Sequence, residues 1–101
     1  MALYKNITGE LTQELLAVGD NITNPNISLT NIHGTFACNV DLYIEKKLTG
    51  KFYLIKDFNL PIGETMTNKF IFDNNVGGFA LYIKLTKSFA ETPAVDVIIT
   101  K

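Results

Sequence analysis

The residues able to do chemistry in this chain are few. His33 is the only histidine, and it stands beside Gly34 in what reads as a short hairpin loop. Histidine is the side chain that titrates near neutrality, so His33 is the one general acid/base candidate of that kind. A nucleophilic mechanism would need a serine, threonine or cysteine supported by its ring, and no nucleophile motif is present. Cys38, the only cysteine, falls between Phe36 and Val40 on an apolar face. A free thiol there behaves as a small hydrophobe, and neither a cation nor a helix N-terminus is evident on its strand to activate it. Histidine and cysteine together supply two ligands, short of the three or four of a zinc site, and one cysteine allows no intrachain disulfide.

The carboxylates do not cluster along the sequence. Asp41 and Glu45 share the outer face of one expected strand but are separated by Tyr43, while Asp57, Asp73 and Asp96 fall near strand ends or on outer faces. Glycoside hydrolysis requires two carboxyl groups roughly 5–10 Å apart across a cleft, a relation no spacing here expresses. Asp73-Asn74-Asn75 offers oxygen ligands suited to calcium, but it lacks the spacing of a calcium-binding loop and reads better as a turn. Gly77-Gly78 follows no strand-to-helix phosphate pattern. The expectation is a turn histidine, a core cysteine, and no catalytic residue, cofactor or metal.

Composition narrows the field further. All nine basic residues are lysine, set against ten acidic ones for a formal net charge of −1. Nucleic-acid binding calls for a basic excess and favours the arginine fork, and both are missing. Hydrophobic residues make up 47% of the chain, enough for a folded core. At 101 residues the expectation is a single domain spanning 1–101, with residues 1–10 an N-terminal arm or edge strand. No apolar run approaches the ~20 residues that span a bilayer. The opening Met1-Ala2-Leu3-Tyr4-Lys5-Asn6 lacks the basic and apolar regions of a secretory signal, so synthesis in the cytoplasm is expected. The Asn-x-Ser/Thr triplets at Asn6, Asn21 and Asn26 read as chance matches.

These side chains must be positioned by strands. Phe36, Cys38, Val40, Leu42 and Ile44 alternate with polar residues between Thr35 and Glu45, the period of a strand with one buried face. Phe79, Leu81, Ile83 and Leu85 repeat the pattern, as do Val95, Val97 and Ile99; shorter versions occur at Ile27 and Leu29 and at Met66, Phe70 and Phe72. Lys51 to Lys56 is apolar on both faces in its middle. Turn signals separate these runs: His33-Gly34, Lys46 to Gly50, Pro61 to Glu64, Asp73 to Gly78, and Glu91-Thr92-Pro93. Such spacing marks an antiparallel sandwich or barrel. Between Gly9 and Asp20, Leu11, Leu15 and Val18 fit a short helix, yet the same residues fit an edge strand, which the rest of the fold favours.

The alternation leaves apolar residues on the outer faces. If Leu42 and Ile44 point inward, Tyr43 points outward, and Tyr82 does so by the same logic. Ile71 and Ile98 face out, and Tyr53 and Ile55 are expected to share one face opposite Phe52 and Leu54. Apolar residues gathered on neighbouring strands mark partner contacts, and tyrosine suits such surfaces. Tyr43, Tyr53, Ile55, Ile71, Tyr82 and Ile98 are therefore the candidate interface.

The order of motifs carries a resemblance. Met1 to Thr8 opens the chain, Ile27-Ser28-Leu29-Thr30-Asn31 starts a core hairpin, and Val40 to Ile44, Phe52 to Asp57 and Leu60 to Thr65 follow, before Leu81 to Leu85 and Val95 to Ile99 close it. Over nearly its whole length this resembles the small β-sandwich virion proteins of tailed phages, of the marine and cyanobacterial type. The segment Glu10 to Ala17 departs from that pattern, which is richer in Ser, Thr and Gly around the first strands. The resemblance implies an immunoglobulin-like sandwich attached to a larger particle, with no active site to carry over. The expected fold is thus an all-β, single Ig-like antiparallel β-sandwich of about seven or eight strands. The expected role is a non-enzymatic virion part: a capsid decoration or cement protein, or a neck or tail accessory subunit. Its partners would be other virion proteins, in many copies on a symmetric particle, with no nucleic acid and no membrane. The alternative is a small carbohydrate-binding module in which Tyr43, Tyr53 and Tyr82 stack on sugar rings.

Overall fold

The computed structural model describes residues 2–87 and 92–101, so Met1 and Glu91 of the expected turn lie outside the described residues. Eight strands form: β1 (Ala2–Thr8), β2 (Gln13–Leu16), β3 (Asn26–Asn31), β4 (Cys38–Lys46), β5 (Gly50–Leu60), β6 (Thr65–Lys69), β7 (Ala80–Lys87) and β8 (Ala94–Thr100). They make two four-stranded antiparallel sheets, ordered β1-β8-β3-β6 and β2-β7-β4-β5. Among the described residues there is no helix long and apolar enough to cross a membrane.

The pairing is nested. β4 pairs with β5, β3 with β6, β2 with β7 and β1 with β8. The chain is one long hairpin with its apex at residues 47–49, wound so that its paired arms enclose a common core. Of all consecutive strands, only β4 and β5 lie side by side. The antiparallel sandwich of eight strands is as the alternation predicts. Its strand order refines that expectation: it is the double Greek key of a jelly roll, whereas an immunoglobulin sandwich keeps several consecutive hairpins within one sheet. Local periodicity sets which face of a strand is buried and carries nothing about which distant strand it will pair with.

The inner faces follow the alternation. Cys38, Val40, Leu42 and Ile44 of β4, Leu81, Ile83 and Leu85 of β7, Val95, Val97 and Ile99 of β8, and Ile27 and Leu29 of β3 are all buried in one cluster. Fully burying a Leu, Ile or Val side chain contributes about 1.5–3 kcal/mol. Cys38 is 1% exposed, and burial pushes its thiol pKa up, which keeps it protonated and unreactive.

Residues 13–16 form the edge strand that the rest of the fold favours, with a register irregularity between Glu14 and Leu16 that lets the adjacent Leu15 and Leu16 both be buried; Leu11 and Val18 are exposed, so no helical stripe is used. One local expectation changes. His33-Gly34 lies in the crossover from β3 in one sheet to β4 in the other and is not a hairpin loop.

Edge strand β5 is bulged twice. Tyr43 faces Tyr53 and Leu42 faces Ile55, so one step on β4 matches two on β5. Between Leu42–Ile55 and Val40–Phe58, two steps match three. Asp57 takes the extra position at φ 52°, in the left-handed region, and donates its N–H to Asp41 Oδ1 at 2.7 Å. Lys56 Nζ lies 3.7 Å from the other oxygen of Asp41. A bulge re-aims the side chains that follow it. The bulge between Tyr53 and Ile55 sends Ile55 to the core face opposite Leu42, where it is half-buried against the core and no longer shares the face of Tyr53.

Candidate functional site

Register brings the expected tyrosines together. Tyr82 on β7 and Tyr53 on β5 both lie opposite Tyr43 on β4, and Glu14 on β2 lies opposite Tyr82. A row Glu14–Tyr82–Tyr43–Tyr53 therefore crosses all four strands on the outer face of this sheet. The rings of Tyr43 and Tyr82 stack with centroids 5.2 Å apart and planes at 22°, and those of Tyr43 and Tyr53 are 5.4 Å apart and tilted by 48°. Lys51 Nζ stands 4.4 Å from the Tyr43 centroid and Lys56 Nζ 4.7 Å from that of Tyr53, both within cation–π range.

This packing corrects the reading of Tyr43. It faces away from the core as expected, yet its neighbours leave it only 8% exposed, so the surface it would present is already covered. Tyr53 remains 43% exposed and Tyr82 is half-buried. The other candidates do not join them. Ile55 has turned to the core side, Ile71 is exposed between buried Phe70 and Phe72 in the loop after β6, and Ile98 lies on the opposite sheet across from Tyr4 and Ser28. The six residues do not form one contiguous patch.

Burial raises the phenol pKa of Tyr82, and the nearby carboxylates of Glu14 and Glu45, the Tyr43 ring and a hydrogen bond to Glu14 push it the same way. A group whose native pKa is raised holds its stabilising effect below its ordinary value, here about 10, and loses it as pH climbs through the higher native value. Stability should therefore fall on the alkaline side of pH 10. Glu14→Gln is expected to bring this phenol back toward the ordinary range, read as an earlier rise of phenolate absorbance in a spectrophotometric titration. An unchanged curve would contradict the pairing.

His33 acts locally. Its Nδ1 accepts the N–H groups of Thr35 at 3.0 Å and Phe36 at 3.1 Å, which shapes the crossover. Among the described residues, no three of His, Cys, Asp and Glu gather as a metal site. The Asp73–Asn75 run is a turn, as its spacing suggests: Asp73 Oδ1 accepts the N–H of Asn75, and the Asn74 side chain points into the fold.

The features that sequence reasoning missed lie at the two ends of the sandwich. Asn74 is fully buried and ties the loop after β2 to the loop before β7. Its Oδ1 accepts the Ile22 N–H at 3.1 Å, and its Nδ2 donates to the carbonyls of Ala17 at 3.0 Å and Phe79 at 2.8 Å. At the other end, Asn31 is 1% exposed; its Nδ2 donates to the carbonyls of Phe36 and Leu60 and its Oδ1 accepts the His33 N–H. The loops at the two ends carry exposed aliphatic side chains: Val18, Leu48 and Val76 at one end, Leu11, Ile32 and Ile62 at the other. The readable signal was an apolar residue inside a turn, as in Lys47-Leu48-Thr49 and Asn75-Val76-Gly77.

No protein-family model matches the chain, and no curated protein does. Solved structures do match in shape. The Yersinia pseudotuberculosis-derived mitogen superposes with a TM-score of 0.61 at 10% identity, over 99% of this chain and 85% of that one. A chain in the structure of the Gx strain of infectious bursal disease virus superposes with a TM-score of 0.52 at 13% identity, over 100% of this chain and 32% of its own. This chain thus spans about a third of that viral chain. At such identities what is shared is the β-sandwich fold.

Proposed function

We propose that the chain is a structural subunit of a tailed-phage virion, a capsid decoration or cement protein or a neck or tail accessory part, working through protein contacts rather than catalysis. The observation that carries this reading is the eight-strand jelly roll around a core filled by its own side chains, an architecture used by viral capsid domains. The shared fold with a virus chain supports it, and so does the strand-and-turn pattern of the sequence. Function then resides in surface complementarity, with many weak contacts adding up on a symmetric particle. The carbohydrate alternative has less support, because a sugar-stacking platform needs open ring faces and those of Tyr43 are occupied by Tyr53, Tyr82 and Lys51.

The same fold in a bacterial mitogen means that the scaffold is not confined to virus particles, so the test must be made on the particle. Mass spectrometry of purified virions should detect the chain in multiple copies, and cryo-electron microscopy should place its density on the head, neck or tail. Intact particles without it would overturn the proposal.

A further inference from the structure

The crossover at residues 32–37 carries the chain from β3 in one sheet to β4 in the other. Two side chains of different chemistry hold its backbone. Asn31 is 1% exposed; its Oδ1 accepts the His33 N–H at 2.9 Å, and its Nδ2 donates to the carbonyls of Phe36 at 3.1 Å and Leu60 at 2.9 Å. Half-buried His33, whose ring lies against Phe36 with centroids 5.9 Å apart, serves two donors at once: its Nδ1 accepts the N–H groups of Thr35 and Phe36. A side-chain amide keeps its pattern of donors and acceptors as pH changes. An imidazole does not, because a ring nitrogen accepts only while it carries no proton, and both nitrogens donate in the cation. The native crossover therefore requires the neutral ring, with Nδ1 bare.

The described segments round the crossover bring three charged residues to it. Glu64 follows Gly63, whose N–H bonds the Asn31 carbonyl. Glu10 follows Gly9, whose N–H bonds Pro93, next to the Ala94 carbonyl that takes the Ile32 N–H. Lys87 of β7 pairs in register with Cys38, the first residue beyond the crossover. The two carboxylates favour an imidazolium, but both residues are exposed, where solvent screens their pull. The N–H groups of Thr35 and Phe36 act on Nδ1 at contact distance.

We infer that the crossover is an acid-sensitive latch. Protonation of His33 at Nδ1 turns a double acceptor into a donor, separates the ring from the two N–H groups and frees residues 33–36 to rearrange. The sign follows from the neutral ring being the native one: the bonds are complete at high pH and are lost as pH falls through the range in which imidazoles titrate, about pH 8 to 5. Asn31 holds Phe36 and Leu60 in both states, so the opening stays local and reverses on neutralisation. The latch rests on the crossover alone, so it can fail while the virion reading stands.

The test is amide hydrogen exchange together with nitrogen-15 NMR of the imidazole, on the unaltered chain from about pH 8 to 5. Protection factors, which discount the intrinsic pH dependence of exchange, should fall roughly tenfold or more at Thr35 and Phe36 as the ring takes its proton, since two bonds are lost. Leu42, in the middle of β4, should keep its protection. In His33→Asn the side-chain Oδ1 stands where Nδ1 stood and does not titrate, so both amides should stay protected throughout. His33→Ala should show at the alkaline end the low protection that the unaltered chain reaches only in acid. Undiminished protection beside a protonated ring overturns the proposal. So does a ring that stays neutral to the acid end of the range, or a His33→Asn chain that loses the two amides as the unaltered one does.

Discussion

Replacing Asn74 with leucine is expected to remove about 3–5 kcal/mol of folding stability, a large share of the roughly 5–15 kcal/mol available to a domain of this size. The loss comes from three backbone groups and not from the side chain's own transfer. Ile22 N–H and the carbonyls of Ala17 and Phe79 all bond the Asn74 amide inside the fold. Leucine has the same number of side-chain heavy atoms with the same branching, and it leaves all three without partners. An unsatisfied buried polar group costs about 1–3 kcal/mol, and some entry of water keeps the total below the simple sum. Asn74→Asp tests the same point differently. It can keep the bond from Ile22 N–H but turns an oxygen toward two carbonyl oxygens, so it should be no better than leucine. Thr23→Ala removes only the hydroxyl that accepts the Asn74 N–H, and a loss of about 1 kcal/mol is expected. Urea unfolding gives all three values from the shift in midpoint. A loss under about 1 kcal/mol for both Asn74 variants would show that these loops hold without the amide.

Leu42→Ala should be similarly severe, at about 3–5 kcal/mol. Leu42 is fully buried and lies level with Ile83 on one side and Ile55 on the other. Strands fixed on both sides limit collapse into the space left behind, and cavity cost grows with the volume that persists. The neighbouring positions on β5 then report on the bulge. Ile55→Ala should lose about 1–2 kcal/mol, because this residue packs half-buried against the core. Tyr53→Ala should lose less, since its ring lies on the outer face and remains 43% exposed. A regular strand would place both residues on one face and give them similar values. Equal losses would therefore argue against the bulge.

The difference between what could and could not be read from the sequence follows the same physics. The burial of Val40, Leu42 and Ile44, of Leu81 and Ile83, and of Val95 and Val97 follows from a two-residue period, which needs nothing beyond the strand itself. The path of β5 was hidden because Phe52 to Ile55 is apolar at every position, so no alternation marks the residues at which the faces exchange. The covering of Tyr43 depends on Tyr53 and Tyr82, ten and thirty-nine positions away, and only register places them beside it. The buried asparagines were the least legible. Ten asparagines occur, and nothing in the neighbours of Asn31 or Asn74 separates these two from exposed ones such as Asn6, Asn21, Asn26 and Asn75.

The nested pairing also has a meaning in time. Formed alone, the β1–β8 pair must close nearly the full length of chain: the Asn6 amide that bonds Asp96 reaches a partner 90 residues away. Closure entropy rises with the length of chain enclosed. Once β4 and β5 have met at residues 47–49, each outer pair encloses only its two connecting loops, so assembly from the apex outward follows the cheapest series of closures. Contacts dominated by distant residues place such a chain among slow folders, in milliseconds to seconds. The first and last strands join last on this route, and they are the ones whose shortening should least disturb the earliest steps of folding.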